Sequence, residues 1–221
     1  MRRDRGILCL VTDRAQLGAS SDRSVIPGTL TELAREAVDA GVDIIQIRER
    51  DLDAAPLLDI AGAIVEIARG SGTDVVVNDR LDVAIASGAN GVHLRADSLA
   101  PAAARAMAPA GFLIGRSVHE ASEARVHGFT VDYLIAGTVF ATPSKPAENR
   151  LLFRRGLEEI VGAVRVPVLA IGGVTMDRVP EVAAAGAAGI AGIRLFLERG
   201  TSMRTSVQAI REQFDRVQAA S

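Results

Sequence analysis

The sequence predicts an α/β fold, a single-domain (β/α)8 TIM barrel over residues 1–221. Eight short apolar runs recur along the chain, and each is followed by an Ala-rich amphipathic stretch. The runs are rich in Val and Ile and lack clean polar alternation, which suits strands buried on both faces. Strand alternating with helix implies a parallel sheet, and eight such units favour closure into a barrel. A chain of 221 residues that is 48% hydrophobic can bury the core this needs.

The first run, Ile7–Thr12, follows Met1-Arg2-Arg3-Asp4-Arg5. That basic start would suit a signal peptide, but the apolar stretch ends at Thr12-Asp13-Arg14, too short for an h-region. It is read as a buried strand, and the protein as cytoplasmic. Leu30, Leu33, Ala34, Ala37 and Val38 then fall on one helical stripe that ends at Gly41. The second strand is Asp43–Arg48, followed by a stripe of Ile60, Ile64, Ile67 and Ala68 that ends at Gly70. Asp74–Asn78, Gly91–Leu94, Phe112–Arg116 and Asp132–Gly137 are the third to sixth strands, and Pro167–Ile171 and Gly189–Ile193 complete the set. Between strands six and seven, Thr142-Pro143-Ser144-Lys145-Pro146-Ala147-Glu148-Asn149-Arg150 breaks the periodicity and reads as an exposed loop over the active face. An echo runs through the chain: Gly41 to Arg48, Gly88 to Arg95 and Gly186 to Arg194 each place a helix-ending glycine, a turn, a strand and then an arginine.

Several functional classes are excluded or lack support. The net charge of −2 advertises neither nucleic acid nor an anionic membrane, and seven aromatic residues are too few for stacking platforms. No segment approaches the apolar length of a membrane helix. The single cysteine, Cys9, rules out an internal disulfide framework and a cysteine-cluster zinc site. There is no P-loop, no G-x-G-x-x-G, no H-E-x-x-H and no Ser–His–Asp order.

The C-terminal strand ends form the active face of such barrels. Collected there are Asp13, Gln46, Arg48, Arg50, Asn78, Asp79, His93, Arg95, Ser117, His119, Thr138, Lys145 and Arg194, with Arg116 close by. Guanidinium groups outnumber carboxylates, and the guanidinium fork matches phosphate oxygens, so the expected ligand is a small phosphorylated molecule. Lys145 is the only lysine beside 24 arginines, which marks a place where a mobile point charge serves better than a planar fork. Asn78-Asp79 ends the third strand and suits Mg²⁺ when substrate phosphates supply further oxygens; the alternative is that Asp79 caps the helix starting near Leu81. Gly172-Gly173 after the seventh strand and Gly189–Ile193 in the eighth suit a phosphate held by backbone N–H groups.

Several blocks resemble the thiamine phosphate synthases. They are Gly41-Val42-Asp43-Ile44-Ile45-Gln46-Ile47-Arg48-Glu49-Arg50, Val77-Asn78-Asp79-Arg80, Gly91-Val92-His93-Leu94, Ile114-Gly115-Arg116-Ser117-Val118-His119, Gly137-Thr138-Val139-Phe140-Ala141-Thr142-Pro143-Ser144-Lys145 and Ala170-Ile171-Gly172-Gly173. They run in order from about Leu10 to Arg194. The resemblance implies coupling of a hydroxymethylpyrimidine diphosphate to a thiazole phosphate, with release of pyrophosphate by a dissociative mechanism. It further implies that Gln46, Arg48, Arg50 and Asn78 hold the pyrimidine diphosphate and that Asp79 ligates Mg²⁺. Ser117 and Lys145 would stabilise the leaving group, with Arg48 beside them in the catalytic set. Thr142, Ser144, Gly173, Ile193 and Arg194 would take the thiazole phosphate.

The chain departs from that family at three places. Arg50 stands where Lys is usual, and Arg194 where Ser is common. After Leu94 the chain reads Arg95-Ala96-Asp97-Ser98 in place of Gly-Gln-Asp-Asp, so the second metal carboxylate aligns with Ser98 and its neighbour Asp97 is the substitute. The superfamily also contains thiazole tautomerases, but their catalytic His aligns with Thr138. A non-catalytic barrel binding thiamine precursors is a further alternative. The expected partners are phosphorylated small molecules, and homo-oligomerisation is compatible with the sequence.

Overall fold

The computed structural model describes residues 5–17, 26–142, 151–197 and 200–219. The strands are β1 (Ile7–Val11), β2 (Ile44–Ile47), β3 (Asp74–Asn78), β4 (Gly91–Leu94), β5 (Leu113–Val118), β6 (Tyr133–Ala136), β7 (Val168–Ile171) and β8 (Gly189–Gly192). The helices are α1 (Ile26–Ala40), α2 (Ala54–Ala68), α3 (Leu81–Ala86), α4 (Pro101–Met107), α5 (Ala121–His127), α6 (Phe153–Gly162), α7 (Val179–Ala184) and α8 (Met203–Gln218). All neighbouring strands are parallel, and β1 pairs with β8 as well as β2, which closes the barrel. Among the described residues no helix is long and apolar enough to cross a membrane.

The lack of polar alternation in the strands has a direct structural cause. Successive side chains of a strand point to opposite faces. In β1, Ile7, Cys9 and Val11 enter the barrel interior with Ile44, Val76, Tyr133, Ile135, Leu169 and Ala191. Leu8 and Leu10 face outwards and join Ile45, Val75, Val77 and Val92 beneath the helices, where Leu30, Ala34 and Ala37 of α1 and Ile60 and Ile64 of α2 cover them. Both faces are therefore apolar. Helices α1 and α2 stop just before the glycines that the stripes indicated. Burial raises the Cys9 thiol far above its ordinary range, so it packs as a small apolar group.

Strands β3 and β4 have the expected bounds, and the edges of the other six differ from the expectation by one or two residues. β5 runs on to Val118 because Ser117 and Val118 continue the ladder against Ile135 and Ala136. At the N-terminal end of the barrel, Asp43 is fully buried and accepts hydrogen bonds from the Leu8 N–H (2.8 Å) and Arg211 Nη2 (3.0 Å). Arg211 also donates to the Gly6 and Gly41 carbonyls, which ties α8 across β1 and β2.

Candidate active site

A cavity of about 790 Å³ opens at the C-terminal ends of the strands. Strand register decides which side chains form its floor. Val11 pairs with Gln46 and Gln46 with Val76, while Asn78 pairs with His93 and His93 with Gly115; all these residues share the inward face. Gln46 is 3% exposed. Its Nε2 donates to Asn78 Oδ1 at 3.1 Å, and its Oε1 is buried with no protein partner. A buried acceptor left in that state calls for a donor from a ligand or water.

His93 sits at the centre of the floor. One ring nitrogen, Nε2, lies 2.9 Å from Ser117 Oγ, and the other, Nδ1, lies 3.3 Å from Tyr133 Oη. Burial, reinforced by the positive Arg116, pushes its pKa down to about 3, so the imidazole is neutral at physiological pH. Tyr133 can reach across only because residue 115 is glycine: a Cβ there would lie 2.1 Å from the tyrosine ring.

The basic rim is held from behind by a carboxylate. Glu49 is buried, and its Oε1 accepts from Thr12 Oγ1 (2.7 Å) while Oε2 accepts from Arg14 Nη1 (3.0 Å). Thr12 Oγ1 in turn accepts from the Arg48 N–H at 3.0 Å. The carboxylate between Arg48 and Arg50 thus turns away from the cavity, and both arginines line it. Arg48 Nη1 also faces Asp13 Oδ2 at 3.6 Å. Burial and then the neighbouring Arg50 hold the Arg48 guanidinium below its ordinary pKa, against the opposing pull of Asp13 and Glu49.

On the opposite wall, Gly173 adopts φ +63°, and a Cβ there would lie 2.4 Å from the Ala141 carbonyl oxygen. That close approach packs the loop after β7 onto the loop after β6. Gly173, Ile193 and Arg194 line this side, and Arg194 Nη2 lies 3.4 Å from Thr142 Oγ1. Ser144 and Lys145 lie outside the described residues.

Not every expected residue reaches the cavity. Arg116 points to the outer face, where it donates to the Ala96 (2.7 Å) and Leu99 (3.1 Å) carbonyls; it braces the loop after β4 rather than meeting an anion. Asp79 stands just behind the wall. Its Oδ1 is buried without a protein partner, and its Oδ2 is 3.5 Å from Arg95 Nη1. It does not cap α3: Arg80 occupies the N-cap position, and no side chain caps that helix. Asp97 is exposed and bonded to Arg95 Nη2 at 2.5 Å, which draws its carboxyl below the ordinary range. Ser98 Oγ is buried without a partner. Among the described residues no three His, Cys, Asp or Glu gather around one point. Asp79 Oδ1 is thus an acceptor without a protein partner, and no cluster of further metal-ligating side chains surrounds it among the described residues. Sequence pattern does not show the Thr12–Glu49–Arg14 brace or the contact of Tyr133 with His93. A carboxylate between two rim arginines was the available signal for the first; no local pattern announces the second.

An α/β barrel with an arginine-lined mouth, a buried amide pair and close-packed glycine loops defines a (β/α)8 enzyme acting on phosphorylated small molecules. The family described as thiamine monophosphate synthase matches residues 6–196. The chain is 43% identical over 193 residues to a thiamine-phosphate synthase of Methanoculleus marisnigri, covering 87% of this chain and 90% of the relative. It is 44% identical over 187 residues to one of Methanoregula boonei, covering 83% and 82%. A solved thiamine phosphate pyrophosphorylase from Pyrococcus furiosus superimposes with a TM-score of 0.80 at 31% identity, over 96% of each chain. The chain belongs to the thiamine monophosphate synthase family, transferases that form thiamine phosphate in thiamine biosynthesis.

Proposed function

We propose that the cavity joins hydroxymethylpyrimidine diphosphate to a thiazole phosphate by a dissociative substitution. The observation that carries this reading is the buried, unpartnered Gln46 Oε1 held by Asn78 directly beneath the Arg48–Arg50 rim. One end of the cavity offers an acceptor to an N–H on a polar ring, and the other offers positive charge to a diphosphate. A volume of about 790 Å³ is of the size that encloses small organic ligands.

In this reading Gln46 and Asn78 orient the pyrimidine, while Arg48, Arg50, Ser117 and Lys145 bind the diphosphate. The methylene C–O bond breaks first, and its electron pair leaves on the diphosphate oxygen. The pyrimidine ring spreads the resulting positive charge. The thiazole nitrogen then donates its lone pair to the methylene carbon, forming the C–N bond. Groups already fixed around the departing oxygens lower the barrier without reorganising as charge develops. Thr142, Ser144, Gly173, Ile193 and Arg194 place the thiazole phosphate so that its ring faces the cation. Asp79 is the proposed Mg²⁺ ligand; Asp97 becomes a second only if it releases Arg95. The bound ion would neutralise charge on the leaving diphosphate. The reading takes the enzyme to be cytoplasmic and is compatible with a homo-oligomer.

Purified protein given both substrates and Mg²⁺ is expected to yield thiamine phosphate and pyrophosphate in equal amounts. Isomerisation of a thiazole carboxylate phosphate without coupling, or binding of both substrates with no pyrophosphate released, would overturn the reading.

A further inference from the structure

His93 is only 2% exposed, carries no assigned contact with substrate, and lies between Tyr133 and Ser117. We propose that Tyr133 and His93 are positioning residues that set the direction of the Ser117 hydroxyl. Tyr133 O–H donates to His93 Nδ1, His93 Nε2–H donates to Ser117 Oγ, and Ser117 keeps its own O–H for an anionic ligand in the cavity.

The argument turns on which tautomer satisfies every buried group. A neutral imidazole offers one donor and one bare acceptor. With the proton on Nδ1, Tyr133 Oη would have to accept, leaving its hydroxyl proton without an acceptor. Tyr133 is fully buried, and His93 is the partner described for Oη among the described residues. Ser117 would then spend its proton on Nε2 and present only lone pairs to a diphosphate. The other tautomer leaves no orphan donor and turns the serine into a donor. Gly115 is part of the device, since a side chain there would displace the tyrosine ring from His93. Both ring nitrogens face hydroxyl groups and neither faces a carboxylate, which leaves one nitrogen bare for Tyr133.

The proposal rests on Ser117 meeting the diphosphate, and the test separates the two. In protein labelled with ¹⁵N-histidine, long-range ¹H–¹⁵N spectra at pH 7 are expected to show His93 with a protonated Nε2 and a bare Nδ1. Its signals are identified by their loss in His93→Gln. An Nδ1-protonated or cationic ring overturns the proposal whatever the activity. In the coupling assay, His93→Leu is expected to lower kcat tenfold or more, with His93→Gln, which restores an N–H donor, recovering most of that loss. In a Ser117→Ala background the same His93→Leu change is expected to cost less than twofold. Penalties that multiply independently would assign His93 a role apart from Ser117 and overturn the proposal. Absence of any thiamine phosphate from the unaltered protein would refute the function while leaving the tautomer result intact.

Discussion

Arg95 Nη1 lies 3.5 Å from Asp79 Oδ2, while its Nη2 holds Asp97 at 2.5 Å, so one guanidinium stands between these two carboxylates. A fixed positive charge there repels a free divalent cation and weakens the pull of Asp79 on it. Arg95 lines the cavity, whereas Asp79 does not.

Replacing Arg95 by glycine should therefore raise the affinity of the free protein for a divalent cation by roughly tenfold, as removal of one partly exposed neighbouring charge can. Mn²⁺ binding followed by electron paramagnetic resonance checks this, with Asp79→Asn in the same background abolishing the gain. Equal Mn²⁺ affinities in the parent and Arg95→Gly would show that the guanidinium does not guard the site.

Loss of a charge contact to the leaving group should slow the reaction strongly. Asp79→Ala and Lys145→Ala are each expected to lower turnover by roughly 10²-fold or more, while thermal unfolding stays near that of the parent. Parent-like rates in steady-state coupling assays would remove both residues from the proposed machinery.

The pH dependence of stability follows from His93. Its folded pKa is about 3 against the ordinary 6.5, so between these values the unfolded chain binds one more proton than the folded one. Stability from this group is complete above pH 6.5 and drains away as pH falls towards 3. The slope approaches roughly 1.4 kcal/mol per pH unit, or about 2 kcal/mol between pH 7.5 and pH 5. Urea unfolding at the two pH values should show His93→Gln losing less than the parent by about that amount. Parallel losses would contradict the neutral buried ring.

At the other end of the barrel, Asp43→Ala should destabilise the protein by roughly 3–5 kcal/mol, because Arg211 would be left in a largely buried place without its carboxylate. Chemical denaturation measures the loss. Since Asp43 precedes β2 at the end remote from the cavity, kcat in the surviving folded fraction should match the parent.

Much of this molecule could be read one segment at a time. The apolar runs, the helix-ending glycines and the arginines after strands two, four and eight all follow from local pattern. The close pair Arg116 and Ser117 shows where that stops. Both sit near the end of one strand, yet Ser117 joins the floor while Arg116 grips the Ala96 and Leu99 carbonyls outside it. A strand turns neighbours to opposite faces, and when both faces are buried, hydrophobicity does not mark which is which.

The sequence by itself determined the eightfold alternation, the apolar core and the concentration of positive charge at one rim, since these depend on periodicity and composition. Only the tertiary structure decided that Tyr133 reaches His93, that Arg95 stands between Asp79 and Asp97, and that Glu49 turns away to brace Arg48. Those contacts join residues far apart in the chain, and barrel closure with its register sets the distances between them.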